Sequence, residues 1–200
     1  MCCRYYMEYS PELLPIIEEM NRSALVPAFQ QKGLVPACGE IRPTMAAPVV
    51  ASNRKGQRAV FPMRWGFREK TLLINARSET AAQKPTFREA WQGHRCAIPA
   101  SWYYEWEHRV SPEGKKSTGD RYLLRPKEKR MAWLCGLYRM EDGLPCYVVL
   151  TREAGEEIRF IHDRMPLILP DRMIREWIRP GANPEDLAEA AVTDLYCERA

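Results

Sequence analysis

MAWLCGLYRMEDGLPCYVVLT, residues 131–151, sets two apolar and aromatic runs on either side of Glu141-Asp142-Gly143. Asp-Gly is a turn-forming pair, so the stretch predicts two strands joined by a tight turn. Upstream, RYLLRP (121–126) predicts another strand, and CAIPASWYYEWEH (96–108) predicts two strand pieces with a kink at Pro99. Between them HRVSPEGKKSTGD (108–120) is polar and rich in Gly, Ser and Lys, which predicts an exposed hairpin loop. Further strands are expected in MAAPVVAS (45–52), with its proline at an edge or bend, in a bent RAVFPMRWGF (58–67), in TLLIN (71–75) and in MPLILP (165–170).

Helices fall between and after these strands. SPELLPIIEEM (10–20) has Ser10 as a cap, Pro11 at the first helical position, and Leu13, Ile16 and Ile17 on one face. PTFREAWQG (85–93) is stopped by Gly93, and GEEIRFIHD (155–163) is helical in pattern. PDRMIREWIR (170–179) and NPEDLAEAAV (183–192) predict two late helices, the second capped by Asn183 with Pro184 behind it. Strands and helices do not alternate regularly, which excludes a doubly wound parallel sheet. The pattern predicts an α+β fold: one domain, 1–200, with a mostly antiparallel, barrel-like β core flanked by short helices.

Composition sets bounds on function. The chain is 46% hydrophobic and 28% charged, as expected of a soluble globular domain. No apolar run approaches the roughly 18 residues of a membrane helix. The first residues lack the layout of a signal peptide, so a cytoplasmic location is expected. Seven cysteines with no CxxC spacing argue against a disulfide framework or a structural zinc site. Cys96, Cys135 and Cys146 lie in strand-like runs and read as small core residues. The histidines, His94, His108 and His162, are too scattered to mark a metal cluster. A net charge of +4 permits an anionic partner without demanding one. Phosphate-binding glycine loops, HExxH and GxSxG are absent.

What remains is a set of polar residues in strand-forming text. Asn75 ends an apolar run, where a strand supports a functional side chain or a turn residue bonds its own backbone. Arg77 shares its face if the chain stays extended. Glu105 sits among Trp102, Tyr103, Tyr104 and Trp106, and either points to water or lies in an aromatic cleft that raises its pKa. His162 is either a helix-end histidine or a proton-transfer group. Arg4 beside Tyr5 and Tyr6, and Arg64 beside Trp65, pair cations with rings. Such pairs suit single-stranded nucleic acid but also occur as ordinary cation–π contacts. MCCRYY (1–6) puts a cysteine second, where trimming of Met1 would leave it with a free α-amine beside its thiol; the residue is otherwise incidental.

In order, MCCRYY, EIRPTMAAPVV, PMRWGF, LINARSETAAQKPTFREAWQGHRCAIPASWYYEW, VVLT and FIHDRMPLIL resemble one family, the SRAP proteins (SOS-response-associated peptidase, or abasic-site-processing proteins). The likeness runs from residue 2 to about residue 170 and is collinear. It implies a DNA damage protein that senses abasic sites in single-stranded DNA and crosslinks to them through a processed Cys2. The α-amine and thiol of that residue would close a thiazolidine ring on the sugar aldehyde. By position, Cys2 matches the nucleophile, Asn75 the residue that positions it, Glu105 the proton-transfer carboxylate, and His162 the histidine that assists ring opening. Arg4, Arg77 and Arg164 match phosphate contacts, and Trp65, Trp106 and Thr151 the walls of the DNA groove. The resemblance further implies autoproteolysis, a possible abasic-site lyase activity, association with the nucleoid when bound to DNA, a monomer, and no cofactor or metal. One position departs: Cys3 stands where the family usually has glycine. Two other readings stay open, a cysteine peptidase using Cys2 and His162 on protein substrates, and a non-catalytic single-strand binding module.

Overall fold

The computed structural model describes residues 2–111, 113–127 and 131–200. From the N-terminal side, β1 (Arg4–Met7) is followed by α1 (Leu14–Asn21), α2 (Val26–Gln31), β2 (Gly39–Ile41), β3 (Ala46–Ser52) and β4 (Arg58–Trp65). Short strands β5 (Phe67–Arg68), β6 (Leu72–Leu73) and β7 (Asn75–Arg77) come next, then α3 (Ser78–Ala81) and α4 (Pro85–Gly93). The long strands follow: β8 (Arg95–Ala100), β9 (Trp102–Val110), β10 (Lys116–Pro126), β11 (Ala132–Glu141) and β12 (Leu144–Glu153). After a 3-10 turn at Glu156–Ile158 come β13 (Arg164–Pro166), β14 (Ile168–Leu169), α5 (Asp171–Trp177), α6 (Pro184–Glu189) and β15 (Leu195–Arg199).

The 131–151 stretch folds as its spacing predicts. β11 and β12 form a hairpin in which Asp142 and Gly143 both have positive φ, 51° and 79°. That conformation is the mirror-image turn whose twist matches the strands. β12 also pairs with β4, β4 with β3, β3 with β8, and β8 with β11, so five strands close into a barrel. Its pairings are antiparallel except β12 with β4, where Cys146 lies opposite Arg64. β11, β12, β3 and β8 begin as continuous buried runs rather than alternating ones. Such runs belong to strands covered on both faces. Gly136 keeps the wall thin: a Cβ there would stand 2.7 Å from both the Val148 carbonyl oxygen and the Ile98 side chain.

A second, antiparallel sheet in the order β2-β1-β9-β10-β15 stands beside the barrel. Among the described residues no helix is long and apolar enough to cross a membrane.

Several local expectations change. Pro48 lies on an internal strand, but opposite Pro62, and β3 meets β8 only from Val50 onward, so no ladder donor is lost. β8 runs straight through Pro99, and the break before β9 falls at Ser101. The expected loop at 108–120 narrows, because β9 reaches Val110 and β10 starts at Lys116; Pro112 lies outside the described residues. Ser10 accepts from the Leu13 amide through both its carbonyl and its hydroxyl, closing a turn ahead of a helix that begins at Leu14. GEEIRFIHD makes one 3-10 turn instead of a helix, burying Ile158 and Ile161 three residues apart. TLLIN divides, and Asn75 opens β7. β15, unforeseen, pairs with the edge of β10.

Candidate active site

Cys2 lies just ahead of β1 and is completely buried. β1 is clamped on both sides, with Tyr5 opposite Ile41 of β2 and Tyr103 of β9. Tyr5 also reaches the barrel. Its ring lies 5.2 Å from that of Trp65, and its hydroxyl shares a 2.6 Å hydrogen bond with the hydroxyl of Tyr147. The residue that carries Cys2 is thus fixed to both sheets.

Asn75 is held in turn by β7, which runs parallel to β12 with Asn75 opposite Val149. Its Nδ2 donates a 2.8 Å hydrogen bond to the Cys2 carbonyl. The Oδ1 of the same amide is buried and has no hydrogen-bond partner among the described residues. The Cys2 thiol faces the Arg4 carbonyl at 3.6 Å. Burial, and then the Glu105 carboxylate, push this thiol well above the ordinary cysteine range, so it is neutral at pH 7 and needs a base to act.

Glu105 is 4% exposed, which decides between its two readings: it lies inside. β9 holds it opposite Tyr122 of β10, and the Trp106 amide donates to its Oε1 at 3.2 Å. Burial raises its pKa, the direction that favours a proton-transfer carboxyl group.

His162 follows the 3-10 turn and is 7% exposed. The Arg164 amide donates to its Nδ1 at 2.9 Å, while Asp163 Oδ1 stands 2.7 Å from the same nitrogen. The two contacts favour opposite tautomers. Asp163 is exposed and solvated, so the amide decides, and Nδ1 is the acceptor of a neutral ring. Desolvation, helped by His108, lowers the His162 pKa to about 4. Because that lies below the ordinary 6.5, the unfolded chain takes up the extra proton first. The resulting stability is complete above about pH 6.5 and drains away as the pH falls towards 4. His162→Gln is therefore expected to flatten the acid side of a melting-temperature profile, by at most a little over ~1 kcal/mol per pH unit. An acid limb identical to that of the unsubstituted protein would contradict the assignment.

The remaining predicted site residues divide. Arg77 is exposed, and Trp106 is half-buried with the Arg4 guanidinium 5.4 Å from its ring centre. Arg4 also pairs with Glu40 at 3.3 Å. Arg4 and Trp106 present polar and aromatic surface near Cys2, and Arg77 lies two residues beyond Asn75 on β7. Trp65 and Thr151 present no surface, for both are fully buried. Trp65 donates from Nε1 to the Ile74 carbonyl and packs on Tyr5 and Tyr147, so it supports the site from behind rather than walling a groove. Thr151 hydrogen-bonds the Ala76 carbonyl and likewise has no surface to offer. The Arg164 guanidinium grips both oxygens of Glu79, at 2.7 and 2.8 Å, and the Thr151 carbonyl at 2.7 Å. A phosphate would have to compete with Glu79 for it. Sequence reasoning missed His108, whose ring centre lies 4.0 Å from that of His162. Three residues past Glu105 on a strand, it carries no periodic signal.

Comparison with known proteins shows which chains this one resembles. The family model described as SOS response associated peptidase (SRAP) matches residues 1–198. The abasic site processing protein YoqW of Bacillus subtilis is 29% identical over 203 residues, covering 95% of this chain and 85% of its own. The abasic site processing protein YedK of Escherichia coli is 27% identical, covering 72% of this chain and 66% of its own. Among solved structures, a phage-related protein from Bordetella bronchiseptica superposes with a TM-score of 0.73 at 20% identity, over 100% of this chain and 94% of that one.

Proposed function

Since this chain belongs to the SRAP family, SOS response associated peptidase, we propose that it processes abasic sites in DNA by capturing them covalently through Cys2. The names of its relatives supply the substrate class. The observation that carries the covalent reading is the bond from Asn75 to the Cys2 carbonyl. A side chain on β7, the strand paired with β12 of the barrel, holds residue 2 by its backbone, and the buried Oδ1 of the same amide is an acceptor suited to an α-ammonium.

Removal of Met1 exposes that amine. It adds to the aldehyde of the ring-opened abasic sugar and loses one water to give a Schiff base. The thiol then adds across the C=N bond, closing a thiazolidine whose carbon was the aldehyde. Glu105 relays the protons: it takes one from the amine or thiol and returns one to the departing hydroxyl. His162, neutral at pH 7, serves ring opening at the sugar. Arg4, Arg77 and Arg164 meet phosphates and Trp106 a base of single-stranded DNA. The same Schiff base opens a route to β-elimination, hence lyase activity, and the family's autoproteolysis is the step that frees Cys2. The protein acts as a monomer in this scheme. A peptidase acting on other proteins is less well supported. It needs a thiol made acidic by its histidine, whereas burial and Glu105 drive Cys2 the other way. Cys3 does not spoil the site by its backbone. Thr44 and Asp142 are the described non-glycine residues with positive φ, so residue 3 lies in ordinary space that needs no glycine.

Intact mass after incubation with a single-stranded oligonucleotide bearing one abasic site tests this. The expected species lacks Met1 and adds the oligonucleotide less one water. A Met1-free protein that forms no adduct would overturn the proposal. Glu105→Gln is expected to slow adduct formation by about 100-fold or more while changing oligonucleotide affinity only a few-fold. Equal losses in rate and affinity would remove Glu105 from the proton relay.

A further inference from the structure

We infer that Glu105, His108 and His162 form a site for a divalent transition-metal ion such as zinc. Binding there is independent of the proposed function. Its consequence, arrest of the abasic-site reaction by withdrawal of Glu105 and His162, rests on that reading.

One ligand atom from each of the three residues falls within 4.8 Å of the others. Residues 105 and 108 are an odd number apart on β9, and a regular pleat would send them to opposite faces. Here the ladder is irregular: β10 carries an extra residue between Thr118 and Arg121, opposite 106–108 of β9, and a bulge of this kind increases the local twist of the pair. The His108 amide also leaves its own sheet to donate to the Ile161 carbonyl at 2.9 Å, which draws β9 against the segment bearing His162. Glu105 and His162 are buried, while His108 is exposed. His108 and His162 both line an open cleft of about 420 Å³, with Ser117, Thr118 and Asp163 among its walls. The cleft is an entry path for a hydrated ion.

The donor chemistry selects the ion. Two imidazoles and one carboxylate suit zinc and its neighbours, whereas calcium and magnesium want oxygen. Zinc–ligand bonds of about 2.1 Å place tetrahedral donors about 3.4 Å apart, so the side chains close by roughly 1.4 Å or less. Nδ1 of His162 faces Arg164 and Asp163, which leaves Nε2 for the ion. Coordination moves the ring proton to Nδ1, which gives up the hydrogen bond from the Arg164 amide and gains one to Asp163 Oδ1, already 2.7 Å away. A carboxylate behind a ligating histidine is the usual support of such a ligand. A proton held by Glu105 is released to solvent. The fourth coordination position is left to water.

The test titrates the whole protein with cobalt(II) and with zinc, following metal stoichiometry by native mass and the cobalt absorption spectrum. One ion per chain is expected, with d–d bands and no thiolate-to-cobalt charge transfer. His108→Ala should weaken cobalt and zinc binding at least about tenfold, and Asp163→Asn by a smaller factor. Cys2→Ala should leave cobalt binding as it was. Absence of binding, or binding lost in Cys2→Ala but kept in His108→Ala, would overturn the site. Zinc should also slow adduct formation, a chelator should restore it, and His108→Ala should need at least about tenfold more zinc for the same slowing. Bound zinc that leaves adduct formation untouched would overturn the arrest. A protein that binds cobalt as described yet never forms an adduct would keep the metal site and remove the proposed function.

Discussion

Cys2→Ala is expected to leave no covalent adduct that survives denaturation. Alanine is small enough to permit Met1 removal, so the variant keeps an α-amine and can still form the Schiff base. What it lacks is the sulfur that closes the ring. An open imine hydrolyses on unfolding, and the adduct yield should fall to background even though reduction with borohydride traps a fraction of the imine. The fold should hold: the change removes one buried sulfur from the edge of the core, whose hydrogen bond to the Arg4 carbonyl is a long 3.6 Å, at a cost of about 1 kcal/mol. Cys3→Gly, by contrast, should still form the adduct, because residue 3 cannot present an α-amine. A denaturation-stable adduct of normal yield in Cys2→Ala would sink the mechanism outright.

Arg95→Ala is expected to produce the largest loss of stability. Arg95 is 1% exposed, yet its guanidinium donates to five carbonyls, those of Trp91, Gln92, Trp177, Arg179 and Ala182. It stands at the start of β8 and ties the end of α4 to the end of α5 and the segment beyond. Both helix ends present carbonyls with partial negative charge, so a cation is well placed. Truncation leaves these acceptors buried without their donor. Losses on breaking such buried charged networks run to about 3–5 kcal/mol, or roughly 6–20 °C in melting temperature for a chain of this size. Arg95→Lys should recover little, because an ammonium cannot span the fork. A shift under about 3 °C in Arg95→Ala would show that the network contributes less than its geometry implies.

Much of this fold was legible because local chemistry and tertiary demand agree. The Asp142-Gly143 turn states its own geometry, and the runs around it are apolar on both faces, as barrel strands between two layers must be. Asn183 and Pro184 likewise marked a helix start, and the Asn183 side chain does accept from the Glu185 amide. The misreadings have physical causes. β15 is five residues, mostly exposed, and becomes a strand only because β10 offers it an edge. The 155–163 segment has apolar residues at helical spacing, but one tight turn satisfies them. Arg64 beside Trp65 left open a nucleic-acid platform or an ordinary cation–π contact, because adjacency in sequence does not say which face is wet. In fact Arg64 is buried against Glu141 at 2.6 Å, in a strand flanked on both sides. At the site, Cys2, Asn75 and Glu105 stood out by position, but the roles expected of them came from the resemblance. The contact between His108 and His162 was invisible, since no spacing links a strand to a turn so far along the chain.

The pairings that build the site join distant parts of the sequence: Arg4 lies opposite Tyr104, and Arg64 opposite Cys146. Loop closure of that length must precede the contacts that reward it, which slows folding. Until β1 is captured between β2 and β9, Cys2 is an ordinary solvated thiol at a frayed end. Its protection from thiol reagents therefore serves as a clock for the late steps of assembly. On the proposed mechanism an immature chain carries Cys2 without Asn75 and Glu105 to direct it, and adduct formation begins only once β1 is seated.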